Sequence, residues 1–170
     1  MRPDVALRAI RPDDEEFLCR VYASTRTEEL AAVAWTEEEK AAFLRMQFAA
    51  QHRYYQESYT SSRFDVVLVD GRPAGRLYVA RWPEELRVID IALLPEFRRR
   101  GIGTALLRNL LEEGSARRLP VRIHVERHNP ALVLYEGLGF RLVEDRGVYL
   151  FLERRAGEPG RTDAARVESR

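Results

Sequence analysis

The stretch "FRRRGIGTALLRNLL", Phe97 to Leu111, decides how the rest of the sequence is interpreted. Three arginines lead into two glycines separated by one residue, and an apolar helical pattern begins at once. The start of a helix leaves backbone N–H groups unpaired and is partly positive. Glycine there lets an anion approach the main chain without meeting a Cβ atom. The stretch predicts a cradle for phosphate or diphosphate, the alternative being a solvated arginine run before a helix.

The two familiar nucleotide-binding patterns do not fit this stretch. A P-loop requires lysine followed by serine or threonine after its last glycine, and no lysine lies near Gly103. The dinucleotide fingerprint requires a third glycine where this chain has Leu106. The anion would therefore belong to another kind of ligand.

Composition indicates a soluble globular protein. The chain has 170 residues, of which 45% are hydrophobic and 32% charged, and its net charge of +1 gives no reason to expect a nucleic-acid or membrane partner. One cysteine, Cys19, excludes an internal disulfide, and we expect no metal site. The N-terminus lacks the apolar core of a signal peptide, which favours a cytoplasmic location. We expect one domain over residues 1–154 and a flexible tail over 155–170.

Periodicity along the chain predicts the element order βααβββαβαββ. Thr36 followed by Glu39 forms a capping box that opens a long helix, which continues to about Tyr55. For the core-facing stripe of this helix we expect four residues at helical spacing: Phe43, Met46, Ala50 and Tyr54. The helix after the arginines is expected over Thr104–Glu113, with Gly114 as its C-cap. Asn129 and Pro130 are expected to cap and open a short helix reaching Tyr135.

Two motifs together resemble those of the GNAT N-acetyltransferase superfamily. "IALLPEFRRRGIGTALL" is similar to its acyl-CoA diphosphate motif, and "NPALVLYEGLGF" at 129–140 is similar to its second motif. The element order also matches over roughly residues 4–153. The resemblance implies a mixed α/β (α+β) fold with a mostly antiparallel sheet flanked by helices. It also implies a splay between strands 4 and 5.

The function that the resemblance implies is transfer of an acetyl group from acetyl-CoA directly to an amine. Main-chain groups of Ile91, Ala92 and Leu93 would bind the pantetheine arm. The diphosphate would be held by the residues of the glycine loop: Arg98, Arg99, Arg100, Gly101, Ile102, Gly103 and Thr104. Asn129 matches a position that often contacts the coenzyme, but the spacing to the tyrosine is one residue short. Either His128 or Asn129 would therefore face it, or Asn129 only caps the helix.

Catalytic groups follow less directly from the sequence. Tyr135 matches the tyrosine that commonly protonates the CoA sulfur, and a phenol with an unperturbed pKa of about 10 suits that role. For the base there are three candidates, His124, Asp90 and Glu85, and a water chain is a fourth. Asp90 has the alternative role of a structural carboxylate that accepts hydrogen bonds from backbone or arginine.

The acceptor amine is expected near the first two helices. Gln47, Gln51 and Tyr55 recur every four residues beside the expected core stripe, and Trp35 lies nearby. They would form a wall for a small-molecule amine, a protein N-terminus or a lysine, or they are an ordinary helix surface. A homodimer is possible. The rival functions are a non-catalytic acyl-CoA sensor and a nucleic-acid-binding role for Arg98–Arg100.

Overall fold

The structure is a computed structural model that describes residues 2–157. In this range the strands are β1 (Val5–Ala9), β2 (Arg63–Val69), β3 (Arg72–Arg81), β4 (Leu86–Leu93), β5 (Val121–Glu126), β6 (Arg141–Arg146) and β7 (Tyr149–Arg154). The helices are α1 (Glu15–Ser24), α2 (Thr27–Ala31), α3 (Glu37–Ser58), α4 (Ile102–Arg117) and α5 (Leu132–Gly137). Only the short helix α2 is additional to the predicted order.

The strands form one mixed sheet in the order β1-β2-β3-β4-β5-β7-β6. The β4–β5 pair is parallel, whereas β1–β2, β5–β7 and β6–β7 are antiparallel. This confirms the predicted fold class. By compactness the chain divides into a first unit within Met1–Tyr78 and Asp90–Ile102 and a second within Val79–Ile89 and Gly103–Arg170. The single domain over 1–154 stays a prediction, and nearly all of the tail predicted at 155–170 lies outside the described residues.

The first unit contains α1, α3 and the β1–β2 pair, in which Val5 lies opposite Val69. Its helices pack through Leu18, Tyr22 and Phe48, with Leu44 against the same cluster. The predicted start of α3 is confirmed, because the Glu39 N–H donates to the Thr36 hydroxyl at 3.1 Å. Burial of these apolar side chains fixes which side of α3 faces α1.

The core-facing stripe predicted for α3 is wrong. Three of its four residues are exposed, namely Met46 (63%), Tyr54 (58%) and Ala50. Phe48, which was not part of the predicted stripe, is buried. The helix carries two stripes at helical spacing, and the inward one includes Gln51 and Tyr55. Polar side chains can face inward when partners satisfy their hydrogen bonds, and the sequence pattern does not show those partners.

The expected C-cap at Gly114 is also wrong, because α4 continues to Arg117. A Cβ atom at Gly114 would lie 2.8 Å from the Leu119 carbonyl oxygen and 3.0 Å from a Val121 methyl group. The glycine therefore permits close packing of α4 on the start of β5. The chain leaves the helix at Arg118, whose φ is 56°.

The parallel ladder between β4 and β5 is short. It joins Leu86 to Val121, Arg87 to Arg122 and Val88 to Ile123, although β4 continues to Leu93 and β5 to Glu126. The end of the ladder at Val88 agrees with the splay expected between these strands. No helix among the described residues is long and apolar enough to cross a membrane.

Candidate active site

The loop before α4 has the backbone conformation of an anion cradle. Pro95–Phe97 forms a 3-10 turn, after which Arg99 has a φ of 60° and Gly101 a φ of 77°. Left-handed residues in such a loop turn backbone N–H groups toward a common point, which creates a concavity for anions. Helix α4 begins immediately afterwards, at Ile102, and adds the N–H groups of its first turn.

Gly103 has open space where a side chain would be. A Cβ atom built at Gly103 or at Gly101 meets no atom within 4 Å. Gly75 is the opposite case, since its Cβ would lie 2.1 Å from the Ala92 carbonyl oxygen. Glycine is favoured at 101 by its positive φ and required at 75 by packing, whereas neither reason applies at 103. The backbone at Gly103 is left accessible, as a bound ligand requires.

Arginines surround the loop, but they are not equivalent. The guanidinium groups of Arg72 and Arg100 both lie over the buried Phe97 ring, at 5.6 and 5.8 Å from its centre. Sequence reasoning missed Arg72, because it comes from the start of β3 and only the fold brings it to Phe97. Together the two side chains add positive charge beside the cradle.

Arg98 is engaged by the protein itself. Its Nε donates to the Leu93 carbonyl oxygen at 2.9 Å, and its Nη2 donates to the Ser24 hydroxyl at 3.2 Å. These bonds tie the loop to the end of β4 and to the C-terminus of α1. The predicted contact between Arg98 and the diphosphate stays a prediction, as does the pantetheine role of Ile91–Leu93.

A buried polar cluster in the first unit unites three of the predicted residues. Arg76, 2% exposed, donates from Nη2 to Asp90 Oδ2 at 2.7 Å and to Gln51 Oε1 at 2.9 Å. The Tyr55 hydroxyl donates to Asp90 Oδ2 at 3.2 Å. This is the environment expected for a structural carboxylate. Arg76 was not singled out from the sequence, because a single arginine in a strand carries no distinguishing pattern.

Tyr55 and Tyr78, whose ring centre lies 5.2 Å from the Arg76 guanidinium, remain protonated near neutral pH. Burial raises the pKa of Tyr55 far above its usual value, and the charge of Asp90 raises it further. Burial, with a smaller effect from Asp90, raises the pKa of Tyr78 to about 12. The Tyr78 hydroxyl is buried and has no hydrogen-bond partner among residues 2–157. Neither phenol is suited to accept a proton.

Three of the four residues predicted for the acceptor wall form side-chain hydrogen bonds within the first unit. Gln47 Oε1 accepts from the Tyr22 hydroxyl at 3.0 Å, while Gln51 and Tyr55 belong to the Arg76 cluster. Trp35 is 41% exposed and packs edge-on against Phe43. These contacts support the ordinary-surface alternative for the glutamines, and acceptor binding by all four stays a prediction.

His124 lies in the second unit, stacked on the Phe151 ring at 4.6 Å. Its Nε2 accepts a hydrogen bond from Arg146 Nη1 at 2.7 Å, since arginine can only donate, and the imidazole is then neutral with its proton on Nδ1. Burial lowers the pKa of His124, and the charges of Arg87 and Arg146 lower it further. A neutral imidazole is the form that can accept a proton.

Glu85, the other base candidate of this unit, is already paired. Both of its oxygens accept from Arg87 at 3.0 Å, and Arg122 Nη1 lies 3.4 Å from Oε1. Such bidentate pairing commits both carboxylate oxygens to Arg87. His124 is therefore better suited than Glu85 to act as a base.

The second motif is partly used for local structure. Asn129 Oδ1 accepts from the Ala131 N–H at 2.9 Å, so its side chain caps the turn leading into α5. His128 and Asn129 are both exposed, and which of them faces the coenzyme stays a prediction. Tyr135 is 4% exposed and packs against Phe140, with ring centres 5.7 Å apart. Its role as an acid also stays a prediction.

Comparison with known proteins identifies the family of this chain. The model of the acetyltransferase (GNAT) family matches residues 18–140, which is more than half of the chain. The chain belongs to the GNAT acetyltransferase family. As the sequence resemblance implied, it is an acyltransferase that moves an acetyl group to an amine.

One relative by sequence and two solved structures illustrate what this chain is similar to. A Bacillus subtilis protein provisionally named as a ribosomal protein bS18-alanine N-acetyltransferase is 27% identical over 146 residues, 83% of each chain. The PaiA N-acetyltransferase of Thermoplasma acidophilum, solved with coenzyme A, has a TM-score of 0.68 at 18% identity, covering 89% of this chain and 99% of its own. The ribosomal-protein-S18-alanine N-acetyltransferase of Escherichia coli has a TM-score of 0.58 at 19% identity, covering 92% and 97%.

Within residues 2–157, no three side chains of histidine, cysteine, aspartate or glutamate come together as a metal site. Cys19 is partly buried, which raises the pKa of its thiol and keeps it protonated.

The lowered pKa of His124 predicts a stability change in weak acid. The unfolded chain takes up this proton near pH 6.5, before the folded chain does, so stability is lost as pH falls from 6.5 through the lower folded value. His124→Gln should remove part of that loss. Urea unfolding on either side of this window measures it, with the exposed His128→Gln as control. Equal losses in wild type and His124→Gln would contradict the assignment.

Proposed function

We propose that this GNAT chain uses acetyl-CoA as co-substrate and acetylates the α-amino group of a peptide or protein N-terminus. The observation that carries the coenzyme assignment is the accessible backbone at Gly103, directly behind two left-handed residues and beside arginines. The resemblance of the loop to the family motif and the coenzyme in the Thermoplasma acidophilum relative support it.

In the proposed complex the loop binds the diphosphate mainly through its main chain. The N–H groups between Arg99 and Thr104 donate to the phosphate oxygens, and Arg100 and Arg72 contribute charge from the Phe97 ring. Main-chain groups of Ile91 and Ala92 bind the pantetheine amides. Leu93 contributes its N–H only, because its carbonyl oxygen already accepts from Arg98.

For the chemistry we assign an acid and a base from the second unit. The Tyr135 hydroxyl donates a proton to the departing sulfur. His124, neutral because its pKa is lowered, takes a proton from the attacking amine. Its Nε2 becomes available when the Arg146 side chain, which is 46% exposed and paired with Glu144, turns toward solvent. No nucleophilic side chain is required, since the amine itself attacks the thioester.

The acceptor assignment rests on how carboxylates are used. In the second unit Glu85, Glu144 and Glu153 each bind an arginine at 3.0 Å or less. In the first unit Asp90 binds Arg76. Carboxylates neutralised in this way provide little attraction for a polycationic amine, which disfavours polyamines. The relatives from Bacillus subtilis and Escherichia coli are named for acetylation of a ribosomal protein's alanine, and we extend a protein acceptor, in the cytoplasm, to this chain.

Gly103→Val tests the coenzyme site. A Cβ atom at position 103 meets no atom within 4 Å, so the variant should fold normally while its side chain crowds the bound diphosphate. We expect acetyl-CoA affinity measured by calorimetry to fall at least about 100-fold, or about 2.7 kcal/mol. The matched control is Ala105→Val at an exposed position of the same helix, which should bind as wild type does. A folded Gly103→Val protein with wild-type affinity would refute this placement.

Tyr135→Phe tests the acid. Loss of the hydroxyl should reduce kcat about 100-fold, within the range expected for general acid catalysis, and leave acetyl-CoA affinity nearly unchanged. Stopped-flow detection of the released thiol gives the rate, and calorimetry gives the affinity. Wild-type turnover would remove Tyr135 from the mechanism.

The acceptor class is tested by comparing amines at fixed acetyl-CoA. We expect kcat/KM for an alanine-starting peptide to exceed that for spermidine, and for the same peptide with a blocked N-terminus and an internal lysine, by at least about tenfold. Mass spectrometry locates the added acetyl group. A faster reaction with spermidine would contradict the acceptor assignment alone. Tight acetyl-CoA binding without turnover of any amine would instead identify a sensor.

A further inference from the structure

The outward face of α3 has an exposed apolar strip that the enzyme function does not use. Ala42, Met46 and Ala50 lie on the side of the helix opposite Phe48, which is buried toward α1. Met46 is 63% exposed. Methionine is unbranched and adaptable and is frequent at binding surfaces, so its exposure beside two alanines makes this strip a candidate docking surface.

The strip is bounded by opposite charges that repeat symmetrically about Met46. Ala42 and Ala50 lie four residues before and after it, and Glu39 and Arg53 lie seven residues before and after it. Both charged residues are exposed, and neither forms an ion pair with another residue of 2–157. If a second copy of the helix packs antiparallel on this strip, Glu39 of each copy therefore lies opposite Arg53 of the other, and alanine lies opposite alanine. A parallel copy would instead place like charges opposite each other.

We infer that a second copy of this chain docks here, with α3 antiparallel to α3 of the partner and the two-fold axis at Met46. Each Glu39 then faces the partner's Arg53, and each Ala42 faces the partner's Ala50. The alanines allow the two helix backbones to approach closely, and the Met46 side chains fill the centre. The antiparallel arrangement also opposes the two helix dipoles favourably.

Charge changes test the pairing in the full chain. Sedimentation at concentrations from about 1 to 200 μM should show a concentration-dependent dimer. Arg53→Glu replaces two attractions by two repulsions in the symmetric dimer, so its dissociation constant should rise about tenfold or more. Adding Glu39→Gln, which keeps the capping box, should recover part of that loss. Arg45→Glu makes the same charge change off the strip and should dimerise as wild type.

Cysteine cross-linking tests the register, in a Cys19→Ala background. Met46→Cys should form a disulfide-linked dimer under mild oxidation, because the residue lies on the two-fold axis. Ala42→Cys alone should not, whereas Ala42→Cys combined with Ala50→Cys should. A protein that stays monomeric over the whole range overturns the inference. So does a dimer that ignores Arg53→Glu and fails to cross-link through Met46→Cys, since it uses another face.

Discussion

The ion pair between the buried Arg76 and Asp90 links the sheet of the first unit to α3. A guanidinium group that is nearly inaccessible to water requires compensating partners, and Asp90 and Gln51 supply them. Because Gln51 and Tyr55 both come from α3, the pair fixes the rotation of that helix about its axis. Removing either charge would leave the other buried and unpaired, which is far costlier than losing a surface pair.

The rotation of α3 explains both what the helix offers to ligands and what it leaves outside. Turning the glutamines and Tyr55 inward commits their polar groups to the fold. The same rotation turns Met46, with the alanines beside it, toward solvent. The Arg76 interaction therefore determines which of the two stripes of α3 faces inward. The stripe with Gln51 and Tyr55 faces the core, and the apolar strip with Met46 faces solvent.

The sequence was informative where structure depends on neighbouring residues and less so where it depends on distant ones. The N-cap at Thr36 and the glycine loop before α4 are local, because each is formed by residues within about one turn. The element order could be predicted from periodicity, and the family from two motifs. The core stripe of α3 and the end of α4 depend on Arg76 and on the approach of Gly114 to Leu119, contacts between residues that periodicity cannot connect. The roles of Arg98 and Arg72 follow the same rule, since their partners lie in other elements.

The electrostatic environment of His124 links the base to the chemical state of the acceptor. Arg87 and Arg146 disfavour a positive charge on the imidazole more strongly than Glu85 and Glu144 favour it. An amine brought to the same place experiences the same field, so its pKa is also lowered and its neutral form becomes more populated. Only the neutral amine has the lone pair that attacks a thioester. Arginines that make histidine a weaker base thereby reduce the amount of proton abstraction that the reaction needs. This compensation is consistent with the pairing of Glu85 and Glu144 with arginines.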